Sequence, residues 1–240
     1  MKRKIALVFG GSRGIGAACV EALGRDGFDV AYTYVTTAPA GQSAGADSQV
    51  AAYQAEISDA GAVARVFDAV EADFGTAPDC VVLSSGINIP AKPVSEVDPK
   101  DFSALVAVNL VGAFNVLREA GRRTRDNGSI IAITTSFVRY APAGFGPYCA
   151  TKAAVESLVR AMSKELGSRN VRVNAIAPGP VDTELFRAGK TAEAIGRSAA
   201  MSPLNRIGRP QEVAEAVSFL ASDKASWMHG QIVQPNGGLI

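Results

Sequence analysis

The sequence predicts an α/β protein built on one doubly wound, parallel, seven-stranded sheet with helices on both faces. Three observations predict it. Seven short apolar runs recur along the 240 residues, separated by segments mostly long enough for the crossover helices that parallel neighbours require. The first run ends in a cluster of glycines that opens a helical pattern. With 48% hydrophobic residues, the chain can also bury both faces of such a sheet, and one domain over residues 1–240 is the expectation.

Taken in order, Ile5–Phe9 is a continuous apolar run, the pattern of a strand covered on both sides. Gly10, Gly11, Gly14 and Gly16 follow, and Ile15 starts a helical spacing continued by Cys19, Val20 and Leu23. A strand that turns through glycines into a helix presents backbone N–H groups and the positive helix end outward, which suits a pyrophosphate. The spacing Gly10-x-x-x-Gly14-x-Gly16 departs from G-x-G-x-x-G but meets the same physical need. Asp29–Tyr34 is the second strand. The stretch TTAPAGQSAGADS at 36–48 offers few apolar anchors and predicts only a short or frayed helix before the third strand, Val50–Ala55. Cys80–Leu83, Ser129–Thr134, Val171–Ile176 and Gln231–Gln234 complete the seven. Ligands of an open parallel sheet gather beyond the carboxyl ends of its strands. The glycine turn and residues 84–89, 134–136 and 177–183 are therefore expected at one crevice.

One pair carries chemistry toward that crevice. Tyr148 and Lys152, in PYCATKAAVESLVRAM, stand one turn apart on one helix face, with Pro147 suited to the first turn. A fixed ammonium favours phenolate and is expected to bring the phenol toward the working range of a general acid or base.

Composition excludes several classes. Charge is nearly balanced, 24 basic against 23 acidic residues, so no nucleic-acid track or membrane surface is implied and a small-molecule partner is expected. MKRK precedes only five apolar residues before the glycines, too few for a signal-peptide core, and no run approaches a membrane span; a cytoplasmic location is expected. Cys19, Cys80 and Cys149 are odd in number and widely spaced, which predicts buried thiols rather than a disulfide framework or zinc site. His229, the only histidine, is read as structural, and no metal is expected.

The ordered set of glycine turn, Val108-Asn109-Leu110, Thr135 and Ser136, Tyr148-x-x-x-Lys152, and Pro178-Gly179 followed by Thr183 resembles the short-chain dehydrogenase/reductase family. The resemblance covers essentially the whole chain, including GQIVQPNGG at 230–238, and is greatest to the 3-oxoacyl-acyl-carrier-protein reductase and glucose dehydrogenase type. It implies a Rossmann fold, a nicotinamide cofactor and reversible hydride transfer between a carbonyl and an alcohol. By the same resemblance, Tyr148 would give its proton to the carbonyl oxygen, while Lys152 would lower the phenol's pKa and hold the nicotinamide ribose. Asn109 would kink its helix and position a water. The carbonyl-orienting hydroxyl falls on Thr135 by spacing, with Ser136 as the alternative.

The cofactor would lie along Gly10, Ser12, Arg13, Gly14, Ile15 and Gly16, then Thr33 and Thr36, then Glu56 and Ile57 near the adenine. Ser84, Ser85 and Gly86 would line its middle, with Asn109, Tyr148 and Lys152 beyond, and Pro178, Gly179, Val181 and Thr183 would wrap the nicotinamide. The chain departs from the family in having Phe9 where a threonine buttresses the loop, Leu83-Ser84-Ser85-Gly86 for Asn-Asn-Ala-Gly, and Glu56 for aspartate. An acid at the end of the second strand would select NAD. Here Thr33 or Tyr34 stands in that place, and Arg13 could meet a 2′-phosphate with Thr36 and Thr37 as added donors, so NADP(H) is favoured over NAD(H).

Residues 184–209 resemble a substrate lid, carrying Leu185, Phe186, Ile195, Met201 and Leu204 between Gly189 and Gly196. Phe137, Tyr140 and Phe145 would add apolar wall, and Arg122, Arg123 and Arg125 could dock an acidic carrier protein. The expected function is NADPH-dependent hydride transfer to a ketone or from a secondary alcohol, a 3-oxoacyl thioester among the candidates. An NAD-dependent alcohol or sugar dehydrogenase and a non-catalytic nucleotide-binding regulator are the alternatives. The resemblance also implies a homotetramer assembled through two long helices, about 101–125 and 148–168, and the last strand.

Overall fold

A computed structural model describes residues 3–36 and 48–240. Seven parallel strands, β1 (Ile5–Phe9), β2 (Asp29–Tyr34), β3 (Val50–Gln54), β4 (Cys80–Leu83), β5 (Ser129–Ile133), β6 (Arg172–Ile176) and β7 (Ile232–Val233), form one sheet. Their order is β3-β2-β1-β4-β5-β6-β7. The order reverses between β1 and β4, and the glycine turn stands at that switch point.

The alternation of side chains along each strand explains the continuous apolar runs. Ile5, Leu7 and Phe9 enter one core with α2 (Ala60–Phe74), α4 (Ala113–Arg123) and α6 (Gly146–Glu165). Ala6 and Val8 enter the other with α1 (Gly14–Arg25) and α9 (Pro210–Ala221). Asp59 caps α2 by accepting from Gly61 N at 2.8 Å and Ala62 N at 3.1 Å, and Gly75 ends that helix at φ 70°. β6 starts one residue later than its apolar run suggests. Its first residue, the buried Arg172, donates to the carbonyls of Leu220, Ser222 and Ala225, holding the C-terminus of α9. The helix expected within 36–48 falls on residues 37–47, which lie outside the described residues.

α3 (Pro99–Leu105), a π-helical segment Val106–Gly112, and α4 run on as one 25-residue helix. Contrary to the sequence reading, one 18-residue window in it, of mean hydropathy 1.3, is long and apolar enough to pass as a membrane span. Packing explains its apolarity, because Ala113, Val116, Leu117 and Ala120 cover the sheet.

His229 and two of the cysteines have the structural places expected of them. His229 Nδ1 accepts from Val173 N at 3.1 Å, and its Nε2 faces Ser163 O at 2.5 Å. Burial pushes the thiols of Cys19 and Cys80 up to about 12; Cys149 is only partly covered.

Candidate active site

A cavity of about 700 Å³ runs along the carboxyl ends of the strands, from the glycine turn to Tyr148. The turn is shaped by its glycines. Gly10 and Gly14 adopt φ of 80° and 55°, and a Cβ on Gly16 would sit 1.9 Å from Gly10 O, so only glycine lets α1 start this close to β1. Gly16 supports the turn from behind and does not line the cavity. No side chain caps α1, whose first turn contains no acid, so its positive end is open to an anion.

Thr33 does a job that the sequence reading assigned to no residue. Its hydroxyl accepts from Gly10 N at 2.9 Å while its carbonyl accepts from Gly11 N at 3.0 Å. The second strand thus buttresses the loop in place of the threonine that Phe9 replaces. Phe9 itself turns into the core and packs on Phe67, with ring centroids 5.8 Å apart. Ser85 packs closely on Gly10, where an added Cβ would meet Ser85 Oγ at 2.7 Å. The small serine suits this close approach.

The remaining nucleotide-side residues line the same cavity. Ser12, Arg13, Gly14 and Ile15 do so from the turn; Thr36, Glu56 and Ile57 from the far end; and Ser84, Ser85 and Gly86 from the loop after β4. Pro178, Gly179, Val181 and Thr183 close the opposite side. An added Cβ on Gly14 would lie 3.2 Å from Thr183 Cγ2, which brings the two walls together. Thr183 Oγ1 also caps α7 (Glu184–Arg187) by accepting from Phe186 N at 3.0 Å. Arg13 pairs with Glu184 at 3.3 Å, both side chains about three-quarters exposed. A pair so exposed is worth at most about 1 kcal/mol and gives way readily to a phosphate.

The uncapped helix end, the positive-φ glycines and the length of the crevice fit a dinucleotide. Gly10, Ser12, Gly14 and Ile15 would hold its diphosphate, and Tyr148 and Lys152 would hold the ribose nearest the reacting carbon.

At the other end of the cavity, Pro147 in the first turn of α6 starts the helix that carries Tyr148 and Lys152. Lys152 is 6% exposed, its Nζ donating to Ile133 O at 3.0 Å. Nζ also lies 3.2 Å from where a Cβ on Gly86 would be. Burial lowers Lys152 to about 8 and pushes the Tyr148 phenol up. This corrects the expectation of a phenol made acidic by its neighbour. Desolvation is the main cause at both groups, which leaves Tyr148 protonated near neutrality and Lys152 largely cationic.

The two candidate hydroxyls separate. Thr135 lines the cavity. Ser136 does not: its Oγ donates to Ala177 O at 2.6 Å and accepts from Asn236 Nδ2 at 3.2 Å, tying β5 to the chain beyond β6 and β7. Asn109 stands where the expected helix irregularity occurs. It sits in the π-helical segment, 1% exposed and away from the lining, and its amide grips both backbone groups of Ile87 at 2.8 Å. Its side chain thereby fixes the loop that carries Gly86.

Apolar wall comes from Phe137, Phe145, Leu185, Phe186 and Met201, with Phe137 edge-on to Phe145 at 5.1 Å. Tyr140, Ile195 and Leu204 do not contribute. Asn88 lines the cavity within the expected 84–89 stretch, whereas the sequence reading singled out neither Val35 nor Lys190. Only Lys190 carried a signal, as the sole lysine between Glu184 and Arg209.

Comparison with known proteins agrees with this geometry. A family profile described as enoyl-(acyl carrier protein) reductase matches residues 10–240. A chloroplastic NADPH-dependent aldehyde reductase-like protein from Arabidopsis thaliana is 35% identical, over 99% of this chain and 94% of its own length. An acetoacetyl-CoA reductase from Shinella zoogloeoides is 35% identical over 98% of both. Among solved structures, a short-chain dehydrogenase from Burkholderia cenocepacia J2315 in complex with NADP superposes with a TM-score of 0.88 at 31% identity, over 98% of this chain and 97% of that one. The parallel sheet, the glycine turn at its switch point and the Tyr148–Lys152 helix thus place the chain in the short-chain dehydrogenase/reductase family, as an oxidoreductase acting between carbonyl and alcohol.

Proposed function

We propose that the protein is an NADPH-dependent reductase of small ketones or aldehydes. The observation that carries this reading is Tyr148 with the buried Lys152 one turn along α6, in one cavity with the open N-terminus of α1. When bound, the nicotinamide supplies the hydride. Tyr148, kept protonated by burial, serves as the general acid that donates its phenolic proton to the carbonyl oxygen. Lys152 keeps a cation near the phenol as negative charge develops on it, from a buried position. Thr135 donates to the same carbonyl oxygen and orients it. Asn109 and Ser136 act from behind, holding the loop after β4 and the chain beyond β5 in place.

NADPH is supported by the absence of any acid from Thr33 to Thr36, by Arg13 at the cavity edge, and by the cofactors named for the Arabidopsis and Burkholderia relatives. Docking to an acidic carrier protein is not favoured. Arg122, Arg123 and Arg125 are each paired with an acid of this chain, respectively Glu119, Asp68 with Glu71, and Asp79. Residues 184–209, with the short helices α7 and α8 (Ala192–Ala200), form the cover over the substrate half. Val111 and Phe114, 45% and 49% exposed on the continuous 99–123 helix, suit a homotetramer assembled through that helix.

A panel followed by nicotinamide absorbance tests the reading. NADPH is expected to be oxidised in the presence of a ketone, aldehyde or 3-oxoacyl thioester, and NADH far more slowly. Oxidation with enoyl thioesters alone would move the reaction to the carbon–carbon double bond. Stoichiometric NADPH binding without oxidation by any substrate would favour a regulator.

A further inference from the structure

Lys190, three residues beyond the end of α7, is a further cation on the wall of the catalytic cavity, besides Arg13 and Lys152, and takes no part in the proton transfer described above. Its Nζ lies 4.5 Å from the centroid of the Phe186 ring and donates to Phe186 O at 2.5 Å. Burial holds it below the usual lysine range. Of the acids nearest in sequence, Asp182 holds Arg187 through two contacts of 2.5 and 2.9 Å and Glu184 pairs with Arg13, while Glu193, in the first turn of α8, forms no ion pair with Lys190. Among the described residues no carboxylate comes within ion-pair distance of Lys190, so an ammonium with three donors has one neutral carbonyl and an aromatic face. A half-buried cation in that state gains from an anion supplied from outside.

The position of Lys190 says which anion. The open end of α1 and Arg13 serve the nucleotide phosphates on the glycine side. Lys190 belongs to the segment that contributes Leu185 and Phe186, and with Met201, Phe137 and Phe145 these make the apolar wall of the substrate half. We propose that Lys190 binds an anionic group of the substrate, a carboxylate or a phosphate, so that the preferred substrates are negatively charged carbonyl compounds. The inference rests on the carbonyl-reductase reading and deepens it by naming the substrate class. The apolar wall takes the carbon chain, Thr135 and Tyr148 take the carbonyl oxygen, and Lys190 takes the charge. Gly189, at φ 68° with open space around its Cα, lets the segment adjust to substrates of different length.

Matched pairs test this: 4-oxopentanoate and 5-oxohexanoate, each against its methyl ester, and dihydroxyacetone phosphate against dihydroxyacetone. At least one anion is expected to exceed its neutral partner in kcat/KM by roughly 10- to 100-fold, the range of one charge-assisted hydrogen bond. The preference should appear in KM. In Lys190→Met the ratio should fall to near one; in Lys190→Arg most of it should remain, and ester turnover shows that each variant is folded. The carboxylate and phosphate pairs report separately which anion is preferred. No preference in the wild type, a ratio that survives Lys190→Met, or a weaker NADPH Kd in that variant would overturn the proposal, the last by assigning Lys190 to the cofactor. Failure to reduce any carbonyl, neutral ones included, would overturn the reductase reading and this inference with it.

Discussion

Replacing Lys152 by methionine is expected to abolish turnover while making the cofactor-free protein more stable. Lys152 is 6% exposed, and burial holds it at about 8 against an ordinary 10.5. At about 1.4 kcal/mol per pH unit, keeping it charged in the folded chain costs about 3 kcal/mol near pH 7. Methionine fills a similar volume without the charge but gives up the bond from Nζ to Ile133 O, worth about 1 kcal/mol. The net gain is about 2 kcal/mol, or roughly 4–8 °C in Tm for a chain of this length.

The pH dependence fixes the sign. The unfolded lysine keeps its proton up to its ordinary pKa, whereas the folded one releases it above about 8. The penalty is therefore full below pH 8 and disappears as pH rises from about 8 to about 10.5. Urea unfolding of both proteins without cofactor should show the variant's advantage shrinking by about 2 kcal/mol between about pH 7 and about pH 9.5. A variant less stable than wild type at neutral pH, or an advantage that does not change with pH, would refute the desolvation argument.

Three further outcomes follow from the site. Thr135→Val should lower kcat by about 10- to 100-fold with NADPH affinity kept, whereas Ser136→Ala should act on stability, by about 1–3 kcal/mol, because it takes the side-chain partner from Ala177 O and Asn236 Nδ2; steady-state kinetics and urea unfolding separate the two. Gly16→Ala drives a Cβ to 1.9 Å from Gly10 O, and fluorescence titration should find NADPH binding lost or weakened by at least about 100-fold, unlike Gly167→Ala, which has open space. Arg13→Ser should raise the NADPH Kd by roughly 10-fold and leave the NADH Kd nearly unchanged, since only the 2′-phosphate distinguishes them.

The parts of the fold and site that could be read from sequence are those set by local pattern. Ile5–Phe9 had to be a strand buried on two faces, and Gly10, Gly14 and Gly16 had to form a turn into a helix. Tyr148 and Lys152 had to share a helix face. What could not be read depends on partners far along the chain. Ser136 faces away because Ala177 O and Asn236 hold its hydroxyl, across 41 and 100 positions. Thr33 turns its hydroxyl to Gly10 N, and Arg13 finds Glu184 171 positions away. The phenol's acidity was misjudged for the same reason. Spacing reveals the ammonium, but the burial that raises the phenol is set by the packing of the whole site and not by α6 alone.

The central claim is that the Tyr148 hydroxyl delivers the proton to the substrate oxygen. Tyr148→Phe removes that one oxygen and leaves the ring. NADPH titration followed by single-turnover absorbance in the presence of a reducible carbonyl should show cofactor bound with near wild-type affinity and its oxidation slowed by at least about 1,000-fold. Oxidation within about 10-fold of wild type would show that the proton comes from elsewhere and would contradict the account.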